Sequence, residues 1–178
     1  MGNASYIERL ETVKRLRSLQ FRQLSFKTLN LMAPSIKFLA AGCNNKLTQT
    51  FNHLQKLCLT ELDLDDFNVF RFTISMVQNC PYIKDLELSI TPNKSILQHK
   101  FDYGNNNKLG HLAKAKITGI TGSSVELKLI EYVLGISVVL EKLLLKCNDL
   151  DSTSELKVMR ELLQLPRAST KAKILCFA

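Results

Sequence analysis

The sequence predicts an α/β fold with a parallel sheet on one wall and helices on the other, and three observations support this class. Leucine accounts for 31 of the 178 residues, while tryptophan is absent and aromatic residues make up 7%. Aliphatic side chains must therefore supply nearly all of the buried area. A short apolar pattern returns at a near-constant interval, and helix-capping signals fall between its copies. The length suits one domain or one elongated repeat array.

The repeated pattern is apolar-x-x-apolar-x-apolar. Its middle positions are Leu29, Leu57, Leu86, Ala115, Leu143 and a degraded copy at Ala172, separated by 28 or 29 residues. Alternating apolar positions predict strands with one buried face. The interval is that of a leucine-rich repeat with room for a helix in each return leg. We therefore predict an irregular leucine-rich-repeat solenoid.

The return legs carry helix signals of their own. Ser-x-x-Glu capping boxes begin at Ser5, Ser123 and Ser152, and an amphipathic run follows each of them. A shorter helix is predicted around Phe70 and Val77. Capping chemistry is independent of leucine spacing, so these signals support the alternation of strands and helices.

Two segments depart from the regular repeat. Residues 36–41, after Pro34, are predicted to form a second strand too close to Leu29 for a helical crossover. The polar stretch 91–108 is predicted to be a protruding loop. The expected organisation is a leucine-rich-repeat region over residues 1–108, irregular at 1–50 and with its loop at 91–108, followed by a C-terminal unit over residues 109–178 that continues the stack.

Charge and cysteine content indicate the possible binding partners and the cellular compartment. The net charge is +8, and residues 1–50 hold eight Lys or Arg against two Glu. Such a segment fits either a contact with nucleic acid or an acidic protein, or simply a solvated helix face. No apolar run approaches the ~18 residues that a membrane span needs, and no signal peptide is evident. Five cysteines without C-x-x-C spacing indicate buried, reduced thiols. We expect a protein of the cytoplasm or nucleus with no membrane partner.

The motifs for catalysis or cofactor binding are incomplete. Gly119-x-x-Gly122 lacks the Gly-Lys-Ser/Thr that completes a phosphate loop, so a turn before a capped helix is the better interpretation. The three histidines, His53, His99 and His111, lack metal-ligand spacing. His53 and His111 each precede the first leucine of a repeat, so we predict structural roles for these two. We therefore predict no catalytic residue, no metal site, no cofactor and no enzymatic activity.

The exposed face of the predicted sheet is the candidate binding surface. One row is predicted to hold Lys56, Asp85, Lys114, Lys142 and Lys171, and the next row Cys58, Glu87, Lys116, Leu144 and Lys173. Lys114, Lys142 and Lys171 would then form a ladder of like charges on adjacent strands. Such a face could bind an acidic protein segment or a phosphopeptide. The simpler interpretation is that the lysines keep an open sheet soluble.

Part of the chain also resembles a known family. Residues 116–123, 126–134 and 139–143 resemble the FBD module of plant F-box proteins with leucine-rich repeats, and residues 161–169 with Lys173-Ile174 look like the closing helix and strand of that module. Residues 79–88 are similar to the repeat ends of the same proteins. The resemblance implies an FBD-type unit at 109–178. It also implies a non-catalytic role in selecting protein substrates for a Skp-cullin-F-box ubiquitin ligase.

One departure from that family concerns the F-box itself. Residues 1–25 show nothing like the helical segment that opens with a Leu-Pro pair and docks the Skp adaptor. Contact with the adaptor and cullin is therefore expected only if an F-box is supplied elsewhere. A truncated product, a fragment and a receptor-only form all stay open. Two alternatives to this function are a basic nucleic-acid-binding protein and a reading frame without a functional product. Of the possible partners, we expect a protein and not a nucleic acid.

Overall fold

The chain is described by a computed structural model over residues 26–42, 50–92, 107–148 and 152–177. Its strands are β1 (Thr28–Met32), β2 (Lys56–Leu62), β3 (Asp85–Ile90), β4 (Lys114–Ile120), β5 (Lys142–Cys147) and β6 (Lys173–Phe177). Its helices are α1 (Ala33–Gly42), α2 (Phe67–Gln78), α3 (Ser124–Ile136) and α4 (Ser152–Gln164). The six strands are parallel and follow one another across the sheet in chain order. The predicted α/β class with a parallel sheet is confirmed.

The repeat pattern sets the strand register. Leu29, Leu57, Leu86, Ala115 and Leu143 are Cα partners across the first five strands, and all five are buried. Apolar residues of all four helices belong to the same core cluster as these strand residues. The helices therefore cover one face of the sheet and bury its alternate side chains. Among the helices of the described residues, none combines the length and apolar character that crossing a bilayer requires.

A repeated backbone contact lies where the strands begin. The carbonyl of Lys27 accepts hydrogen bonds from the N–H groups of Gln55 at 2.8 Å and Lys56 at 2.9 Å. The carbonyls of Gln55, Lys84 and Ala113 each accept two N–H groups from the next unit in the same way. One carbonyl per unit thus anchors the following strand, and this contact recurs at the interval of the leucine pattern.

The sixth strand lies two residues later than predicted. Leu143 pairs with Ile174 rather than Ala172, and Lys142 pairs with Lys173. The hydroxyl of Ser169 donates a hydrogen bond to the carbonyl of Leu140 at 2.7 Å, which holds the preceding turn against the β5 unit. The chain is therefore still in this turn at residue 171, and the strand starts at Lys173.

The predicted second strand at residues 36–41 is wrong, because this segment lies within α1. Ile36, Leu39 and Ala40 are buried, while Phe38 is 42% exposed. This spacing of three and four residues is that of a helix face and not of a strand. Pro34 is tolerated because it occupies the first helical turn, where a missing N–H breaks no intrahelical hydrogen bond. The first described unit is therefore a strand followed directly by a helix, whereas three or four residues separate β2 from α2, β4 from α3 and β5 from α4.

The predicted helix around Phe70 and Val77 is confirmed as α2, and its start is capped by Asp66. The Asp66 carboxylate accepts hydrogen bonds from the N–H groups of Asn68 and Val69, which satisfies two of the donors left open at a helix start. The helix predicted after Ser152 is also present, as α4. The helix predicted after Ser5 and most of the predicted loop at 91–108 lie outside the described residues.

The turn between β4 and α3 is held by one carboxylate. Glu126, only 3% exposed, accepts hydrogen bonds from the N–H groups of Thr121, Gly122 and Ser123 at 2.8–3.0 Å and from the Thr121 hydroxyl. The Ser123 hydroxyl accepts from the Glu126 N–H in return, which completes the predicted capping box. The Gly119-x-x-Gly122 segment is thus a turn before a capped helix, as predicted.

Gly119 occupies a position that only glycine fits. Its φ is +85°, and a Cβ atom built there would lie 2.0 Å from the Ile90 carbonyl oxygen. The pairing of β4 with β5 also shifts register between Thr118 and Ile120. The glycine therefore allows β4 to bend at this point and to lie close to the backbone at the end of β3.

We expect Gly119→Ala to lower the free energy of unfolding by about 2–4 kcal/mol, because the left-handed backbone and the backbone contact both oppose a methyl group. Gly135→Ala is the matched control, since nothing lies within 4 Å of its Cβ position. This change in α3 should be neutral or stabilising by about 0.5–1 kcal/mol. Urea unfolding of both variants checks the prediction, and equal stability of the two would contradict it.

Candidate functional site

The open face of the sheet carries the strand side chains that point away from the helices. Its first row holds Thr28, Lys56, Asp85, Lys114, Lys142 and Lys173, and its second row holds Asn30, Cys58, Glu87, Lys116, Leu144 and Leu175. Ser89, Thr118, Lys146 and Phe177 continue a third row. These side chains are half-buried or exposed, whereas the alternate positions of β1 to β5 mostly enter the core. The open face is thus a surface of regularly spaced side chains on rigid strands.

Two lysines differ from their predicted places on this face. The sequence predicts Lys171 in the row of Lys114 and Lys142, but Lys171 lies exposed in the turn before β6. It predicts Lys173 in the second row, but Lys173 is the Cα partner of Lys142 in the first row. The shift of β6 by two residues explains both corrections. Side chains alternate with a period of two, so a residue of β6 stays on the same face of the sheet but lies in a different row. Leu175 occupies the second row instead.

The acidic side chains of the face gather around one lysine. Lys56 Nζ lies 3.2 Å from Glu87 Oε1 and 3.8 Å from Asp85 Oδ2. The hydrogen bond and charge of Glu87 raise the pKa of Lys56. Burial alone would raise the pKa of Glu87, but the hydrogen bond and charge of Lys56, together with the charge of Lys116, outweigh it and lower that pKa. The β2–β3 part of the face therefore has two carboxylates against one lysine, and its lysine is fully paired.

The β4–β6 part of the face is basic. Lys114, Lys142 and Lys173 are exposed and follow one another on adjacent strands. Neighbouring strands lie about 4.8 Å apart, so these charges repel one another. Within the residues that the structure describes, none of the three lysines forms an ion pair. The face is thus divided into a part that holds its acidic side chains and a part with excess positive charge.

The cysteines are less uniformly buried than predicted. Cys80 lies in the core, and burial raises its pKa to about 12. Cys58 and Cys147 are half-buried and Cys176 is exposed, because Cys58 lies on the open face and Cys176 on the edge strand β6. Burial also raises the pKa of these three thiols. All four are therefore mainly protonated at neutral pH and weakly nucleophilic. Cys43 lies outside the described residues.

A shallow depression of about 590 Å³ lies beside the strand starts. His53, Tyr82 and His111 occupy the same position in three successive units, and Lys27 and Lys84 flank them. The rings of Tyr82 and His111 are 5.3 Å apart between centroids. Both histidines are exposed, so neither fills the core. Within the described ranges, no group of three His, Cys, Asp or Glu side chains is placed to hold a metal ion.

The pair of Lys56 and Glu87 generates a prediction about pH. The pKa of Glu87 is lowered from 4.5 in the folded protein, so its stabilising effect is present above pH 4.5 and is lost as the pH falls through the folded value. The pKa of Lys56 is raised from 10.5, so its effect is present below pH 10.5 and is lost as the pH rises through the folded value. Glu87→Gln should therefore be less stable than the wild type at neutral pH and converge with it at both extremes.

Urea unfolding across the pH range measures this difference. Glu141→Gln is the control, because Glu141 is exposed and forms no ion pair with a described residue. Its stability difference from the wild type should stay small at every pH. A Glu87→Gln difference that persists unchanged well below pH 4.5 would show that the ion pair is not its cause.

Comparison with known proteins identifies two relatives. The chain is 29% identical over 150 residues to an F-box/FBD/LRR-repeat protein of Arabidopsis thaliana, covering 78% of this chain and 35% of the relative. It is 29% identical over 99 residues to F-box/LRR-repeat protein 13 of the same plant, covering 55% of this chain and 22% of the relative. The chain thus spans about a third or less of the length of either relative.

No protein-family model and no solved structure matches the chain. The names of both relatives nevertheless contain F-box and LRR-repeat, and the name of the first also contains FBD, as the resemblance of residues 79–88 and 116–143 predicts. Their names also agree with the leucine pattern that sets the strand register. This chain is a homologue of the plant F-box/FBD/LRR-repeat proteins.

Proposed function

We propose that this chain is a non-catalytic protein-recognition module that selects substrates for a Skp-cullin-F-box ubiquitin ligase. The open sheet face is the observation that carries the proposal, because rigid strands present six adjacent side chains in each of two rows. The names of the relatives connect such a repeat with an F-box. Together they support a receptor whose sheet face binds protein.

The proposal also covers the architecture of the module, its cellular compartment and its contact with the ligase. The strand–helix units are turns of an irregular leucine-rich-repeat solenoid, supported by the shared register and by the carbonyl contact at each strand start. Residues 1–108 form the leucine-rich-repeat region, and residues 109–178 form an FBD-type unit that continues the stack. The module acts in the cytoplasm or nucleus, and an F-box supplied outside it contacts the Skp adaptor and cullin.

The basic part of the open face should contribute directly to substrate binding. The test joins the full chain to the F-box of the Arabidopsis F-box/FBD/LRR-repeat relative, replacing the matching part of that protein, and expresses the fusion in Arabidopsis cells. Ubiquitin-remnant mass spectrometry then identifies proteins whose modification depends on the fusion. Lys114→Glu/Lys142→Glu/Lys173→Glu should reduce that modification about tenfold or more, the factor that about 1.4 kcal/mol of lost binding free energy gives.

The matched control is Lys157→Glu/Arg160→Glu/Lys171→Glu. It changes the net charge by the same amount, and its three side chains are exposed in α4 and in the turn before β6, outside the three rows of the open face. The control should modify the same proteins as the unchanged chain. Equal modification by both triple variants, or no protein whose modification depends on the fusion, would contradict the proposal.

A further inference from the structure

Three apolar side chains lie in the open face where it is most basic. Leu175 is 44% exposed and Phe177 is 40% exposed, both on β6. Leu144 on β5 is half-buried and is the Cα partner of Leu175. These positions alternate with the inward residues of their strands, so their side chains point away from the helices. The β5–β6 part of the face therefore presents an apolar patch.

Lysines border this apolar patch along the first row and on the side of β4 and β5. Lys142 and Lys173 lie beside it in the first row, preceded on β4 by Lys114. Lys116 is the Cα partner of Leu144, and Lys146 is the Cα partner of Phe177. We call Leu144, Leu175, Phe177 and these five lysines the lysine-framed patch. It combines apolar surface toward the edge strand β6 with positive charge along the first row and toward β4.

The nearest carboxylates of the open face leave much of this charge uncompensated. Asp85 and Glu87 are the Cα partners of Lys114 and Lys116. Their carboxylates nevertheless approach Lys56, on the opposite side of β3 from these lysines. Glu87 also interacts with Lys116, whose positive charge helps to lower the pKa of Glu87. Lys142, Lys146 and Lys173 lie one and two strands farther away. A ligand that neutralises the lysine-framed patch must therefore bring its own negative charge.

The composition of the patch distinguishes between anionic ligands. Nucleic acids are bound through phosphates and through bases stacked on aromatic or guanidinium planes. This patch offers one phenylalanine, two leucines and only lysine as its cation. Leucines instead gain free energy by covering the aliphatic or aromatic side chains of a protein ligand. The lysine-framed patch thus fits a peptide better than a nucleic acid.

We propose that the lysine-framed patch docks a protein segment in which apolar side chains are flanked by Asp or Glu. This inference rests on the proposed function and specifies the class of substrate segment. The apolar side chains cover Leu144, Leu175 and Phe177, while the flanking carboxylates lie over the lysine rows and relieve their mutual repulsion. Both features of the segment are required, because either one alone leaves the other half of the patch unmatched.

The test is a selection of random short peptides displayed on phage against the immobilised full chain at about 150 mM salt, a concentration that screens weak surface attraction. Enriched peptides should carry Leu, Ile or Phe with Asp or Glu on both sides. Their affinity should fall about tenfold or more with Lys114→Glu/Lys142→Glu/Lys173→Glu. It should also fall with Leu175→Ser/Phe177→Ser, but not with Lys157→Glu/Arg160→Glu/Lys171→Glu.

Folding of each variant is checked by its thermal unfolding midpoint. If the charge reversal unfolds the chain, Lys142→Gln/Lys173→Gln removes charge without reversing it and should still weaken binding. A single-stranded oligonucleotide is tested in parallel. The inference is overturned by failure to enrich peptides, by enrichment without acidic residues, by insensitivity to Leu175→Ser/Phe177→Ser, or by oligonucleotide binding in place of peptide binding.

The peptide selection and the ubiquitin experiment fail in distinguishable ways. If the patch binds no such peptide while fusion-dependent ubiquitination persists, substrate recognition uses another surface and only this inference falls. If peptides bind as expected but no protein is modified through the fusion, the patch is a docking site outside a ligase and the proposed function falls. If Lys114→Glu/Lys142→Glu/Lys173→Glu abolishes both peptide binding and fusion-dependent ubiquitination, the result supports both the inference and the proposed function.

Discussion

The register between parallel strands is the constraint on which the rest of the structure depends. Side chains alternate between the two faces of a strand, so a slip of one residue would bring Lys56 or Glu87 into the core and expose Leu57 or Leu86. Two sets of contacts oppose such a slip. The inward leucines fill the space beneath the helices, and one backbone carbonyl per unit anchors the start of the next strand. Since the helices cover only the inward face, the same register also fixes which side chains line the open face and in which row.

Charge on the open face is distributed by the same register. Lys56 lies opposite Asp85 and can also reach Glu87, so on β2 and β3 two carboxylates hold one lysine. The next three strands place lysine beside lysine in the first row. A folded chain tolerates such a ladder because solvent and salt weaken repulsion between exposed charges. The ladder gives the fold no attractive contact among its lysines, and under the proposal above it serves binding, beside exposed leucine and phenylalanine.

The turns at the carboxyl ends of the strands solve a different physical problem. The chain must leave a strand and start a helix within a few residues without leaving backbone donors buried and unpaired. Before α2 the Asp66 side chain meets this need, and before α3 the Glu126 carboxylate accepts three N–H groups and a hydroxyl. Gly119 supplies the backbone conformation that lets β4 pass close to the Ile90 carbonyl. These local devices let the chain pass from strand to helix in three or four residues.

The sequence by itself determined the parallel α/β class, the first five strands and the capped helix α3, because period-two leucines and the Ser123–Glu126 box are local patterns that report local structure. It did not determine α1, since residues 36–41 fit both a strand and a helix period, and only packing of Ile36, Leu39 and Ala40 into the core separates the two. Nor did it fix the place of Lys173, because the length of the turn after α4 depends on the contact of Ser169 with Leu140 in the preceding unit. The pairing of Lys56 with Glu87 and the lysine-framed patch join residues from different repeats. Tertiary structure decided them because register, and not sequence distance, makes such residues neighbours.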